Sequence, residues 1–303
     1  MVKRTLTYIH KHMFLYLLVL GGAAFMILFS YVPMYGLTLA FKDLNFSTGI
    51  WGSPWVGWAN FEKLFNDKQF WQVMWNTVLI NLYNILFGFT FIIFLALMLN
   101  EMKCRWIKSV SQTFVYLPYF ISWVVFSGLV TTFLSPEQGG FVNDVIVALG
   151  GERVNFLGTP AYFRTILVVT NTIKTAGYNT IIYLAAMAGV NPELYESAEI
   201  DGANRFHMMV HITLPRIYPT IAVLLILQLA ALFSSNFDQV FNLYNPTVYE
   251  TGDVVSTYMW RIGLQGAKFE EGTAMGLMLN LFNLITIVVA NKFISKLDVM
   301  GIF

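Results

Sequence analysis

The side chains able to do chemistry in this 303-residue chain fall into two groups. The first is a dense polar stretch from Asn191 to Pro215, in which Glu193, Glu196, Glu199 and Asp201 fall within nine residues. It also holds His207 and His211 at the i, i+4 spacing of a metal-ligand pair, but with no acid or cysteine in register a metal site is not expected. The second group lies inside apolar runs: Asn171, Lys174 and Tyr178 at i, i+3 and i+7, and Gln228, Ser235 and Gln239 at i, i+7 and i+11, with Asn236 and Asp238 beside them. Polar side chains at bilayer depth are costly, so they face a cavity or a partner helix. Lys174 reads first as a structural pair with a neighbouring helix and second as a substrate contact. The Gln228 group reads equally as interhelical glue and as the lining of a solute pathway, because amides, carboxylates and aromatic rings are what bind sugars. Narrower stripes, Asn81, Asn84 and Gly88, and Gly276, Asn280 and Asn283, read as interhelical contacts.

Several chemistries are excluded. The apolar runs contain no histidine and no acid other than Asp238 near an end, so neither a serine–histidine pair nor paired intramembrane acids can form there and an enzyme is not expected. A single cysteine, Cys104, rules out a disulfide framework or multi-cysteine metal site. A net charge of +1 rules out a basic nucleic-acid binder on global charge.

The elements that must position these groups are membrane helices. A chain that is 57% hydrophobic and only 12% charged, with mean hydropathy +0.62, is poorer in charge than the ~25% usual in soluble proteins. Six apolar runs are long enough to span: about 13–32, 70–99, 110–134, 162–190, 217–240 and 272–293. The first is too long for a signal-peptide core and lacks a small-residue cleavage site, so it reads as a retained helix that ends at Pro33. Pro118 predicts a kink in the third. Lys42 to Lys68, with Trp51, Trp55 and Trp58, reads as an outer loop whose tryptophans form an interfacial belt, ahead of meeting an external protein or stacking on a sugar. Ser135 to Pro160, with a short helix at Phe141 to Leu149, and Tyr249 to Glu271 read as the other outer loops. Gly272 and Gly276 permit close helix approach in the sixth span.

Six spans put both termini on one side, where Lys3, Arg4, Lys11, Lys103, Arg105, Lys108, Arg205, Arg216, Lys292 and Lys296 total ten basic residues against six in the opposite loops. The positive-inside rule makes that side cytoplasmic. The fold class is therefore an all-α, multi-pass integral membrane protein, one transmembrane domain over 1–303, with the 191–216 loop in the cytoplasm.

Within that loop Asn191 is a helix N-cap with Pro192 at the first helical position and acids at the favourable end of the dipole. A short helix is predicted over 192–200, a turn at Asp201-Gly202, and a second helix from Ala203 that shows Phe206, Met209 and Val210 on one face and ends at Pro215. Two short helices joined by a glycine elbow suit docking of a soluble partner, or simple anchoring at the interface.

Glu196-Ser197-Ala198, Gly202, Ile212, Leu214 and Pro215 are similar to the E-A-A-x-x-x-G-x(9)-I-x-L-P signature of binding-protein-dependent ABC importer permeases of type I. Six of the seven fixed positions match, with Ser197 in place of the first alanine. The resemblance runs from Tyr31–Gly36 to Ser295–Leu297 and is closest to the carbohydrate-uptake subfamily, in the branch of alginate- or pectin-fragment permeases, through Trp51–Gly57, Thr180–Ala186 and Phe237–Pro246. It implies that 191–216 is the coupling loop that sits on an ATPase, with Glu196, Ser197, Ala198, Asp201, Gly202 and Ala203 at the contact or elbow and Leu214 and Pro215 ending the second helix.

It further implies a bacterial cytoplasmic (inner) membrane location and four kinds of partner: a second permease, most likely homologous but different, two ATPase subunits, an extracytoplasmic solute-binding protein and an oligosaccharide. No G-x-x-x-x-G-K-[ST] loop occurs, Gly263 to Lys268 having the wrong order. ATP and Mg therefore belong to the ATPase chains, and no cofactor is expected here. The alternative is an ion-coupled secondary transporter of a polar solute, which would usually show inverted repeats and matched broken helices.

Overall fold

The computed structural model describes residues 11–295. Lys3, Arg4 and Lys296 of the basic census lie outside that range, as does the end of the resemblance at Lys296 and Leu297. Among the described residues the elements are helical, apart from an isolated antiparallel pairing of Lys42 with Trp55.

The chain divides into two compact units. The first holds the chain up to Asn66 together with Met259–Met278. In it, α1 (Met13–Met26) has no buried residue and continues through a π turn (Ile27–Tyr31) into a 3-10 segment (Val32–Phe41). Pro33 was expected to end this span and does not. It sits in the first turn of the 3-10 segment, where a missing N–H is tolerated. The Asn60 amide closes the far end by donating to the Ala40 and Lys42 carbonyls (3.1 and 2.8 Å). Trp51 stacks on Tyr35 and Trp55 on Phe41, with all three loop tryptophans at least 63% exposed. Gly272 packs against Gly263, where a Cβ would lie 3.1 Å from the partner Cα, so the glycine does permit a close crossing.

The second unit holds Asp67–Tyr258 and the chain from Leu279. Its helices are α2 (Lys68–Tyr83), which runs through a π turn (Asn84–Phe89) into α3 (Thr90–Glu101), then α4 (Arg105–Phe120), α5 (Trp123–Leu134), α6 (Phe141–Ala148) and α7 (Pro160–Ala188). After α7 come α8 (Glu193–Ile200), α9 (Arg205–Met208), α10 (Leu214–Ala230) and α11 (Phe237–Leu243). The last helix, α12 (Phe269–Ser295), belongs to the first unit up to Met278 and to the second from Leu279.

Four runs, Met13–Phe41, Lys68–Glu101, Arg205–Ala230 and Phe269–Phe293, are long and apolar enough to cross a bilayer. The pair α4 and α5 passes the same test taken together. Helix α7 has 29 residues, about 43 Å at 1.5 Å per residue. It is long enough to span but more polar, with Arg164, Asn171, Lys174 and Asn179 along it.

Three predicted boundaries are corrected. The third span is not a kinked helix but two helices bent by 107°, broken at Ile121 and Ser122 rather than at Pro118. Ser122 starts α5 by accepting the Val125 N–H. The fifth span does not reach residue 240, because α10 stops at Ala230 and α11 starts only at Phe237. Tyr249–Glu271 is not an open polar loop. Helices Tyr249–Gly252 and Val255–Met259 lie within its first part, and Val254 and Val255 are at most 1% exposed.

That segment is held by a polar clamp at the start of α7. Arg164 donates to Asn76 Oδ1 (2.8 Å) and to the Thr251 carbonyl (3.2 Å), while the Asn76 amide donates to the Glu250 and Asp253 carbonyls (both 3.0 Å). Beneath it Phe163, Leu167, Val240, Leu243, Val248 and Val254 form one apolar cluster. A second, Ile92, Ala96, Ala176, Tyr183, Met187 and Ile217, joins α3, α7 and α10. Between helices in lipid, tight packing replaces water exclusion as the driving term. Accordingly, glycines mark the contacts: a Cβ on Gly177 would lie 2.6 Å from the Tyr116 backbone, and one on Gly88 2.7 Å from Thr172 Oγ1.

Candidate functional site

The π turn at Asn84–Phe89 brings Asn84 to the middle of α7, where the Asn171 amide donates to its oxygen (3.2 Å). Such an extra residue in a helix turn is common at functional sites. Around this contact opens a cavity of about 280 Å3, near the lower end of the ~300–1,000 Å3 typical of small-molecule sites. Asn81 and Asn84 line it from the α2 side, Asn171, Thr175 and Asn179 from α7, Gln228 from α10, and Ser234, Ser235, Asn236 and Gln239 from the segment after it. No lining residue carries a charge.

The expected face Gln228, Ser235 and Gln239 is therefore not a face of one helix. The helix ends between them, and the three meet because the chain folds back after Ala230. Asn81 pins that reversal, its amide donating to the Leu232 and Ser234 carbonyls (2.8 and 2.5 Å), and Asn283 bonds Ser234 Oγ and the Phe233 N–H (2.9 and 3.1 Å). Gln239 is 3% exposed and spends its amide nitrogen on the Leu167 carbonyl and Thr170 Oγ1 (2.7 and 2.9 Å). Ser235 pairs with Ser256 (2.8 Å) and Asn236 caps α11. Asp238 is exposed and does not line the cavity.

The α7 stripe also divides. Asn171 faces the cavity, whereas Lys174 and Tyr178 do not. Lys174, 7% exposed, donates to the Pro118, Tyr119 and Ile121 carbonyls, the first two at 3.2 and 3.3 Å. Its ammonium also lies 5.2 Å from the Trp123 ring, and Tyr178 stacks on Tyr119 at 4.8 Å. A helix end leaves its last carbonyls unpaired, and a cation there is doubly suited, as donor and as partner for the helix dipole. The ammonium thus explains why the break falls at Ile121. Thr175 and Asn179 were missed as site residues. With Asn171 they form an i, i+4, i+8 stripe that was legible in the sequence beside the one chosen.

At the far end of α7 the predicted helix pair is present. The Asn191 side chain accepts the Glu193 N–H (3.1 Å) at the start of α8. Gly202 has φ +80° and closes α8, with Gly202 N–H bonded to the Glu199 carbonyl and Ala203 N–H to the Ala198 carbonyl (3.1 and 2.9 Å). That is the left-handed glycine cap in which two of the last carbonyls are satisfied. Asn204 then caps α9 by accepting the His207 N–H (2.8 Å).

Pro215 does not end the second helix. A π turn (Met209–Thr213) absorbs the proline's missing donor, and the helical run Arg205–Ala230 is continuous through Leu214 and Pro215. Tyr195 and Thr213 hydroxyls bond across the pair (2.9 Å), and Arg205 reaches the Glu101 carbonyl (3.3 Å). Ile200 and Phe206, 86% and 70% exposed, stand outward with Glu196, Ser197, Asp201 and Gly202. His207 and His211 stack on each other, and His211 Nδ1 pairs with the His207 carbonyl (3.1 Å).

Residues 88–298 match the family described as binding-protein-dependent transport system inner membrane component. The polygalacturonan/rhamnogalacturonan transport system permease protein YteP of Bacillus subtilis (strain 168) is 39% identical over 99% of this chain and 94% of its own. Protein LplB of the same organism is 37% identical over 95% and 91%. The crystal structure of a bacterial ABC transporter involved in import of the acidic polysaccharide alginate contains a chain 42% identical, with TM-score 0.89, covering 97% of this chain and 99% of that one. A second structure of an alginate transporter, in complex with an alginate pentasaccharide-bound periplasmic protein, matches at 41% identity and TM-score 0.89 over 98% and 99%. Fold, motif and relatives agree: this chain belongs to the binding-protein-dependent transport system inner membrane components, the permease subunits of ABC importers, and is a transport subunit rather than an enzyme.

Proposed function

We propose that the chain is one of two six-span permeases, the other a homologous but different chain, that together carry an oligosaccharide inward from an extracytoplasmic solute-binding protein, driven by two ATPase subunits. The observation that carries the reading is the uncharged cavity lined by amides and hydroxyls in a chain of this family. Such groups match the donor and acceptor pattern of sugar hydroxyls. The similarity to permeases named for polygalacturonan and alginate transport points to uronate oligosaccharides. Since no lining residue is charged, this chain reads the hydroxyls, and a carboxylate stays hydrated or meets another chain.

The fourth crossing is α7, and the broken α4–α5 pair is the third. Both termini lie in the cytoplasm, the orientation that the positive-inside bias of the basic residues supports. The 191–216 loop is the coupling loop, with Glu196, Ser197, Ala198, Asp201, Gly202 and Ala203 at the ATPase contact and Ile200 and Phe206 as its apolar anchors. ATP and Mg act on the ATPase chains. Closure of the ATPase dimer draws the loops together and opens the cavity outward, and hydrolysis resets it. Linkage requires that the outward state and ATPase closure favour each other, typically by about 1–3 kcal/mol.

The test is uptake into proteoliposomes holding the full complex and its binding protein, with oligogalacturonates, oligomannuronates and neutral oligosaccharides. Gln228→Ala with Asn179→Ala, whose amides make no bond to another helix among the described residues, should lower uptake of the accepted sugar at least fivefold with basal ATPase unchanged. Uptake within twofold of wild type would remove the cavity from the pathway.

A further inference from the structure

Tyr183 is 1% exposed, and its hydroxyl has no hydrogen-bond partner among the described residues. Its ring belongs to the apolar cluster that joins α3, α7 and α10 and meets Phe89 edge-on. Phenylalanine would fill that role without leaving an orphaned donor, and a buried hydroxyl without a partner is costly. Something must therefore compensate for it.

The surroundings indicate what. Tyr183 lines a second cavity of about 40 Å3, which shares Asn84, Asn171, Thr175, Asn179 and Gln228 with the larger one. Along α7 the polar positions 171, 175 and 179 lead at four-residue intervals to 183, in the direction of α8. A space of about 40 Å3 exceeds the ~10–15 Å3 that one water needs. It is far too small for a drug-sized or sugar-ring ligand, whose sites start near ~300 Å3. It has room for a hydroxyl or hydroxymethyl group, or for one or two waters.

We propose that Tyr183, with Asn179 and Thr175, forms an inner hydroxyl-binding subsite at the α8 end of the cavity, which takes the leading hydroxyl of a sugar directly or through one water. The proposal rests on the cavity being the sugar pathway. It adds a specificity-determining residue at the step where the solute leaves the wider chamber. Substrates that present a free hydroxyl at the leading end use it, and those capped there by a methyl ether do not.

The experiment uses the reconstituted full complex with its binding protein. The probe is trigalacturonate, or maltotriose if the uptake panel selects a neutral sugar, each with and without O-methylation of its terminal rings. Tyr183→Phe removes one oxygen and keeps the ring. The expected result is a complex of unchanged assembly and basal ATPase whose uptake KM rises about five- to tenfold, the size of one lost neutral hydrogen bond. The loss should vanish for the methylated probe.

Unchanged uptake by Tyr183→Phe, while Gln228→Ala still impairs it, overturns the inner subsite and leaves the pathway intact. Unchanged uptake in both overturns the pathway itself. A complex that loses assembly or basal ATPase with Tyr183→Phe shows the hydroxyl to be spent on protein structure and also overturns the proposal.

Discussion

Replacing Lys174 by methionine tests whether a buried ammonium holds the broken span. The side chain keeps its length but loses three hydrogen bonds to the Pro118, Tyr119 and Ile121 carbonyls and the contact with the Trp123 ring. Interhelical hydrogen bonds at bilayer depth average ~0.6 kcal/mol and reach ~1.7, and charge assistance raises such values up to about twofold. Three of them place the loss at roughly 2–5 kcal/mol, since carbonyls at a helix end can regain part of it from nearby water or hydroxyls.

At about 2–4 °C per kcal/mol, the thermal midpoint in detergent should fall by roughly 4–20 °C. Spin labels on α4 and α5 should report a broadened distribution about the 107° bend. Lys174→Arg, which keeps a cation, should recover more than half of the loss. A methionine variant within about 1 °C of wild type, with an unchanged label distance, would refute the account of the break.

Two further outcomes follow from backbone geometry. Gly202→Val should reduce the ATPase recovered with the purified permease while insertion stays normal, because φ +80° costs a branched residue about 1–2 kcal/mol. Gly202→Asn, which tolerates that conformation, should recover most of it, and equal recovery for valine and asparagine would exclude a conformational cause. Gly88→Val should lower the thermal midpoint by several degrees, since its Cβ alone would lie 2.7 Å from Thr172 Oγ1 and over-packing costs about 1–3 kcal/mol. An unchanged midpoint would show that the π turn after α2 and α7 can separate there without penalty.

Much of the molecule was legible in its residues, for reasons that are local. The apolar runs place helices because each span must satisfy its own backbone. Asn191, Gly202 and Asn204 punctuate the loop because their side chains, or the lack of one, decide which end groups are capped. Prolines misled wherever a neighbouring turn absorbed the missing donor. Pro33 and Pro215 were read as stops, yet a 3-10 segment and a π turn carry the chain through them. At Pro118 the break came three residues late, because its position is set by a lysine on another helix rather than by the proline.

The candidate cavity shows the same division. Sequence alone determined which polar residues lie inside apolar runs, since that depends only on the residues around them. It could not tell which of two stripes on α7 faces a partner and which faces open space. Lys174 and Asn171 are three residues apart and both polar, yet one caps a broken helix and the other lines the cavity. Only the tertiary structure decided this, because a side chain's partner is supplied by another helix. Only it brought Gln228 and Gln239 together, because the chain reversal after Ala230 is pinned by Asn81, 150 residues away. Spacing along one helix carries no record of such a contact.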